Sequence, residues 1–125
     1  MFIFGLGYSA KRIAAHLQGR GWTVLSTGSA GTIDFADKGA VATALARSSH
    51  VLSSVPPARD GGHDPVLDRY GSLLDRQRLG YLSSTGVYGD TGGAWVDESA
   101  PTGTGRRGAR AACDAAWLGR GARVF

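Results

Sequence analysis

Apolar and polar residues alternate along the chain in blocks that predict strands and helices in turn. Residues 1–4, Met-Phe-Ile-Phe, form a continuously apolar run, as expected of a strand buried on both faces of a parallel sheet. Between residues 10 and 17 the apolar positions recur every three or four residues, which predicts a helix with one buried face. The Gly-Arg-Gly segment at 19–21 ends this helix, and residues 22–25 predict a second strand. The first part of the chain therefore predicts a strand–helix–strand unit.

The same alternation continues to the end of the chain. Further strands are predicted over residues 32–35, 50–55 and 79–83, and residues 124–125 begin another. Asp64 followed by Pro65 is typical of a helix start, and residues 86–105, rich in Gly, Thr and Asp, predict a long loop. The later helices are predicted to bury three sets of residues: Val41, Ala44 and Leu45; Val66, Tyr70, Leu73 and Leu74; and Ala109, Ala112, Cys113, Ala116 and Trp117. We expect one α/β domain over residues 1–125, a parallel sheet wound on both faces.

The distribution of charge argues against a basic body that binds nucleic acid. The chain carries 14 Lys and Arg against 10 Asp and Glu, a formal net charge of +4. Nine residues of each sign fall in residues 1–105, so the whole excess lies in the last segment, where five arginines face Asp114. No aromatic platform interleaves with these arginines. We interpret them as a solvated helix face and expect no nucleic-acid partner.

Cysteine usage and hydropathy bound the environment of the protein. The single Cys113 cannot form a disulfide within the chain, and no cluster of Cys and His has the spacing of a metal site. The amino terminus lacks the charged segment of a signal peptide, and no apolar run approaches membrane-spanning length. We expect a cytoplasmic protein with no metal and no membrane partner.

The strongest chemical signal is Gly5-Leu6-Gly7-Tyr8-Ser9-Ala10, between the first predicted strand and the first helix. In this Gly-x-Gly-x-x-Ala pattern Gly5 permits a tight turn, Gly7 lets the backbone approach a pyrophosphate, and Ala10 is small enough for the helix to pack on the strand. The phosphates would lie against the free N–H groups of the helix N-terminus. We predict a dinucleotide site at residues 5–10; the alternative is a tight turn in a doubly wound protein of another kind.

The end of the second predicted strand indicates which dinucleotide is bound. An NAD enzyme usually has Asp or Glu there to bind the ribose 2′-OH, whereas residues 26–29 of this chain read Ser-Thr-Gly-Ser. Because no carboxylate repels a 2′-phosphate, Thr27, Gly28 and Ser29 favour NADP as the cofactor, with NAD as the alternative. Lys11 and Arg12 are the cations closest in sequence to the glycine turn.

A second motif, Leu-Ser-Ser-Thr-Gly-Val-Tyr-Gly-Asp at residues 82–90, ends a predicted strand with hydroxyl residues. Taken with the glycine turn, it resembles the extended short-chain dehydrogenase/reductase superfamily, of the NAD-dependent epimerase/dehydratase type. The Gly-Tyr-Ser-Ala at 7–10 and the Gly-Ala-Trp-Val-Asp-Glu at 93–98 resemble the atypical branch, whose active-site tetrad is eroded. The resemblance implies a Rossmann-like fold with strand order 3-2-1-4-5-6. It covers the chain as the first half of a family member, so we expect a truncated chain without the substrate-binding part.

Site residues follow from this resemblance position by position. Ser84 matches the catalytic Ser/Thr, Tyr88 the wall of the substrate pocket and Asp68 the structural Asn of the family. Besides residues 5–10 and 27–29, the expected cofactor contacts are Ser53, Val55, Pro56, Ser83 and Arg110.

The sequence departs from the family where its Tyr-x-x-x-Lys pair should lie, because these positions hold Arg106 and Arg110. Arginine stays protonated at working pH and cannot shuttle a proton, so the usual acid–base chemistry is not carried over. Arg110 can still hold a ribose or phosphate, and Tyr88 is a candidate substitute acid.

Three hypotheses follow for the function. The first is an NAD(P)-binding oxidoreductase or epimerase that acts on a sugar nucleotide or other small hydroxy or carbonyl compound, with a homodimer as a possible assembly. The second is a non-catalytic module that senses NADP(H). The third, a methyltransferase-like fold, is disfavoured because the second strand does not end in an acid. In any of them, the hydroxyls at residues 83–85 have the alternative role of satisfying backbone groups at a strand end.

Overall fold

Strands and helices alternate throughout the computed structural model, which describes residues 1–59, 62–103 and 108–125. In chain order the elements are β1 (Phe2–Phe4), α1 (Tyr8–Gln18), β2 (Leu25–Ser26), α2 (Lys38–Ala46), β3 (His50–Ser53), α3 (Pro65–Tyr70), β4 (Arg78–Tyr81), α4 (Gly108–Leu118) and β5 (Arg123–Val124). Two 3-10 turns, Gly71–Leu73 and Thr85–Tyr88, follow α3 and β4. No helix in these ranges is both long and apolar enough to cross a bilayer.

The strands form one parallel sheet in the order β2-β1-β3-β4-β5. Successive residues of a strand point to opposite faces, so each strand contributes to two cores. Phe2, Phe4 and Val51 pack with α2, α3 and α4 on one face, whereas Ile3 and Leu52 pack with α1 on the other. The predicted parallel sheet with helices on both faces is therefore confirmed. Its parallel strands bring β1, β3 and β4 to a common carboxyl edge, where the site lies.

The strand predicted over residues 32–35 is wrong, because this segment makes only an isolated parallel bridge between Thr27 and Ile33. The chain turns there instead: the Asp34 carboxylate accepts a hydrogen bond of 2.8 Å from the Ala36 N–H. The Phe35 ring packs at 5.3 Å from the ring of Tyr70 on α3. The bridge nevertheless occupies the place beside β2 that the order 3-2-1-4-5-6 gives to the third strand. The second strand also begins later than predicted, at Leu25.

Helices α3 and α4 are joined through a buried carboxylate. Asp64 caps α3 by accepting hydrogen bonds of 2.9 Å from the N–H groups of Val66 and Leu67, which confirms the predicted cap. Its other oxygen accepts a bond of 2.7 Å from the Trp117 indole N–H. Trp117 is fully buried and stacks on Tyr81 of β4, with ring centroids 5.5 Å apart. This contact fixes α4 against the sheet.

The buried face of α4 differs from the predicted stripe. Cys113 and Trp117 are buried as predicted, but Ala109, Ala112 and Ala116 are exposed, and Ala111 and Asp114 are buried in their place. The apolar periodicity predicts the wrong rotation of α4 about its axis, because it places the charged Asp114 on the solvent-facing side. In α3 the predicted stripe holds at Val66, Tyr70 and Leu74, but Leu73 is 42% exposed in the 3-10 turn that follows.

Candidate functional site

The glycine turn after β1 is fixed by contacts with the ends of β2 and β3. Gly5 has a φ of +80°, in the region that favours glycine. Its N–H donates to the Thr27 Oγ1 at 3.2 Å, and the Leu6 N–H donates to the Thr27 carbonyl at 2.7 Å. The Ser54 hydroxyl donates to the Gly5 carbonyl. Thr27 is buried and its hydroxyl is used by the turn, so its described role is to hold the cradle in shape.

The N-terminus of α1 is open at Gly7. Gly7 caps the helix with φ −82° and ψ −165° and offers no side-chain hydrogen bond, and the first turn holds no acidic residue. A Cβ built on Gly7 meets no atom within 4 Å. The first N–H groups of α1 are therefore unblocked by protein side chains, and the partial positive charge of the helix end is not neutralised.

A cleft of about 230 Å³ lies directly against this helix end. Its described lining comes from the glycine turn and the start of α1, from the segments directly after β3 and β4, and from α4. These residues are Gly7, Tyr8, Ser9, Ala10, Ser54, Leu82, Ser83 and Arg110. The fold thus brings together six of the residues predicted from the sequence, which lie in three separate segments. Ser54 was missed, although as a hydroxyl residue at the end of a strand it carries the same signal as Ser83.

Behind the cleft, the Ser83 hydroxyl donates to the carboxylate of Asp114 on α4, with distances of 2.8 and 2.7 Å to its two oxygens. Asp114 is 9% exposed, and burial raises its pKa, against the lowering effects of the Ser83 hydrogen bond and the Arg110 charge. Asp114 was not among the site residues predicted from the sequence. Its position one helical turn after Arg110 is the signal that was available.

Arg110 contacts the end of β4. Its Nη1 donates to the Tyr81 hydroxyl at 2.9 Å and lies 3.5 Å from the Leu82 carbonyl. Burial raises the pKa of Tyr81 to about 12, although the Arg110 charge acts in the opposite direction. Arg110 therefore lines the cleft while it organises the strand end, and its guanidinium is already partly engaged.

Alkaline titration is expected to show the raised pKa of Tyr81. Its phenol keeps its proton between the ordinary pKa of about 10 and about 12, where an unfolded chain has lost it. The folded chain then binds more protons, so its free energy of unfolding falls as pH rises through this range. Ultraviolet absorbance of tyrosinate should show a phase near pH 12 that Tyr81→Phe removes. A wild-type curve without that phase would contradict this assignment.

The predicted catalytic residues lie in two places. Ser84 precedes the 3-10 turn Thr85–Tyr88 and accepts a hydrogen bond of 3.3 Å from the Gly86 N–H, and Tyr88 ends this turn. Neither is among the described residues that line the cleft. Asp68 is exposed on α3 and pairs with His63, with 3.4 Å between Oδ2 and Nε2. Arg106 lies outside the described residues.

The remaining predicted cofactor contacts surround the glycine turn. Ser53 is fully buried and its hydroxyl accepts from the Val55 N–H at 3.4 Å, while Pro56 is exposed. Gly28 has a φ of +110°, and a Cβ there would lie 2.8 Å from the Leu6 nitrogen. Ser29 is exposed next to it. The loop after β2 is thus packed on the turn by Gly28 and presents Ser29 to solvent.

No protein-family model matches the sequence, and a search of curated proteins finds no match. Among solved structures, the chain is 32% identical to a functionally unknown conserved protein from Silicibacter pomeroyi, with a TM-score of 0.78, covering 99% of this chain and 50% of that one. It is 21% identical to a candidate epimerase from Burkholderia cenocepacia, with a TM-score of 0.67 and coverages of 98% and 52%. It is 20% identical to the UDP-glucose 4-epimerase of Thermus thermophilus, solved with NAD, with a TM-score of 0.63 and coverages of 99% and 53%.

These structures confirm the Rossmann-like α/β fold that the sequence predicted. The chain spans about half the length of each of them. One is an epimerase in complex with NAD, and another is a candidate epimerase, so the fold is one that carries this chemistry in other proteins.

Proposed function

We propose that the chain binds a nicotinamide dinucleotide in the cleft at the N-terminus of α1. The observation that carries this proposal is Gly7, whose missing side chain leaves the helix N–H groups open to the cleft. A pyrophosphate bound there would accept hydrogen bonds from these groups and be stabilised by the helix dipole. The fold shared with an NAD-bound epimerase supports the same ligand class.

NADP is the preferred form of the cofactor in this proposal. No carboxylate lies in residues 27–29, and the Asp34 carboxylate is hydrogen-bonded to the backbone of its own turn. Lys11 and Arg12 are exposed on α1 and form no ion pair within the described residues. The Arg12 guanidinium stacks on Tyr8, 4.6 Å from the ring centroid, at the edge of the cleft. These cations favour a ligand with an additional phosphate.

Fluorescence titration of the folded chain with NADPH and NADH tests both parts of the proposal. We expect saturable binding of each, tighter for NADPH by about tenfold, a discrimination that one charge-assisted contact can supply. Equal affinities would overturn the NADP preference alone. Binding of neither, by a chain whose circular dichroism shows it to be folded, would overturn the dinucleotide site.

The reaction class in this proposal is hydride transfer to and from a small hydroxy or carbonyl compound, such as a sugar nucleotide. The cofactor supplies the hydride chemistry when bound. Ser83 and Ser84 are the hydroxyl groups proposed to hold the reacting oxygen.

A non-catalytic NADP(H) sensor is the second candidate, and Arg110 favours it. At the position of the family's lysine, its guanidinium donates to the Tyr81 hydroxyl, so it holds the strand end. The variant Ser84→Ala separates the two, with UDP-glucose as the first substrate probe. An enzyme loses turnover in this variant, whereas a sensor keeps its NADPH affinity and shows no turnover in either form.

A further inference from the structure

The cleft has an unusual back wall, in which a cleft-lining hydroxyl is bonded to a buried carboxylate. Ser83 lines the cleft, and its hydroxyl proton is shared between the two oxygens of Asp114, at 2.8 and 2.7 Å. A hydroxyl has one proton and two lone pairs, so Ser83 can donate to Asp114 and still accept a hydrogen bond from a ligand. The Ser83–Asp114 pair therefore links the cleft to a carboxylate that does not itself line the cleft.

A purely structural link between α4 and the end of β4 does not need this charge. A buried carboxylate carries a desolvation cost, and an amide or hydroxyl can accept the same hydrogen bond without that cost. Asp114 forms no ion pair among the described residues, since the Arg110 guanidinium is directed to the Tyr81 hydroxyl and the Leu82 carbonyl. Asp114 thus differs from an asparagine at this place in its Coulombic interaction with Arg110 and in its ability to take up and release a proton.

We propose that Asp114 exchanges protons with a ligand in the cleft through the Ser83 hydroxyl, in place of the family's tyrosine and lysine. The inference rests on the proposed function. When an alcohol is oxidised, its hydroxyl proton passes to Ser83, and Ser83 passes its own proton to Asp114. The hydride from the carbinol carbon passes to oxidised nicotinamide. The products are a carbonyl compound, the reduced cofactor and a neutral Asp114; reduction runs the same steps in reverse.

The groups around Asp114 set the pH range of this exchange. Burial favours the neutral acid, whereas the Ser83 hydrogen bond and the Arg110 charge favour the carboxylate. Burial raises the pKa of the Cys113 thiol on the same helix, and the charges of Asp64 and Asp114 add to that rise. The elements packed against α4 carry further charged or titratable groups: Arg78 and Tyr81 on β4, Tyr88 at the end of the 3-10 turn, Arg123 on β5, and Asp64, the cap of α3 that accepts from Trp117.

Proton-linked binding tests the proposal with no substrate present. The whole chain is titrated with NADP⁺ and with NADPH by calorimetry, in buffers of different ionisation enthalpy. Oxidised nicotinamide is a cation and favours the carboxylate, so NADP⁺ binding should release protons relative to NADPH binding. The two ligands share the same 2′-phosphate, whose titration cancels in the difference. As pH falls below the pKa of Asp114, NADP⁺ affinity should fall relative to NADPH affinity by up to about tenfold per pH unit.

Matched variants assign the released proton. Asp114→Asn keeps an oxygen for Ser83 and should abolish the difference while NADPH still binds, and Asp114→Glu should restore it in part. Asp37→Asn alters a hydrogen-bonded carboxylate that caps α2 outside the cleft lining, and it should leave the difference unchanged. If Asp114→Asn does not fold, Ser83→Ala provides the second test: it removes the hydrogen bond that lowers the pKa of Asp114, so the proton release should move to higher pH. A difference that persists in Asp114→Asn, that keeps its pH range in Ser83→Ala, or that disappears equally in Asp37→Asn, overturns this inference. If wild type binds neither cofactor, the proposed function itself fails.

Discussion

Replacing Gly7 by aspartate is expected to weaken cofactor binding strongly in a chain that folds as well as wild type. The backbone at Gly7 has φ −82° and ψ −165°, which any residue adopts, and a Cβ there meets no atom within 4 Å. Aspartate is also a favoured helix N-cap, so the free energy of unfolding should change by no more than about 0.5 kcal/mol.

The same substitution places a carboxylate where the pyrophosphate is proposed to lie. The aspartate side chain would accept hydrogen bonds from the first N–H groups of α1 and repel the ligand's phosphates. We expect NADPH affinity to fall by about 100-fold or more, which corresponds to roughly 2.7 kcal/mol. Fluorescence titration measures the affinity, and urea unfolding measures the stability of the same preparation. Wild-type affinity in Gly7→Asp would mean that the phosphates do not bind at this turn.

Gly28→Ala is the matched control, because this glycine is required by the fold. Its φ of +110° is strained for alanine, and the new Cβ would lie 2.8 Å from the Leu6 nitrogen. We expect a loss of about 1–3 kcal/mol of stability. The two variants therefore separate a glycine kept for a ligand from one kept for the chain itself. Similar stability losses in both would remove that distinction.

The parts of the fold that depend on local pattern were predictable from the sequence. Residues 1–4 are apolar without interruption because β1 is buried on both faces of the sheet. Such a run predicts a buried strand whichever of its residues face each core. The glycine turn was predictable for a related reason, since its sequence is constrained by backbone conformation within a few residues. The strand predicted over residues 32–35 is wrong because Phe35 contacts Tyr70, a residue 35 positions away. The two rings pack together, and the Tyr70 hydroxyl donates to the Phe35 carbonyl.

The site shows the same division. Residues 7–10 were predicted because they form one continuous motif. Asp114 was not, because its burial depends on a hydrogen bond to Ser83 across 31 positions, and a lone acid on a helix normally faces water. A contact between residues so far apart in sequence produces no periodic pattern in a single sequence. The Ser83–Asp114 contact could therefore be identified only from the structure.

Trp117→Ala is expected to cause the largest loss of stability in the molecule. Trp117 is fully buried, stacks on Tyr81 at 5.5 Å and donates to Asp64 at 2.7 Å. Truncation leaves a cavity between α4 and the sheet, at a cost of about 3–5 kcal/mol. It also leaves a buried Asp64 oxygen without its donor, which adds about 1–3 kcal/mol. Their sum approaches the whole stability of a typical domain of this size.

The control is Trp95→Ala, because Trp95 is fully exposed and should change the free energy of unfolding by no more than about 0.5 kcal/mol. Trp117→Phe keeps an aromatic ring against Tyr81 and removes only the N–H donor, so it should lie between the two in urea unfolding. This ordering tests whether α4 is held by packing and by Asp64 together. Equal losses in Trp117→Phe and Trp117→Ala would assign the stabilisation to the hydrogen bond alone. Because α4 also carries Arg110 and Asp114, the contact that stabilises the domain is the one that holds the back wall of the cleft in place.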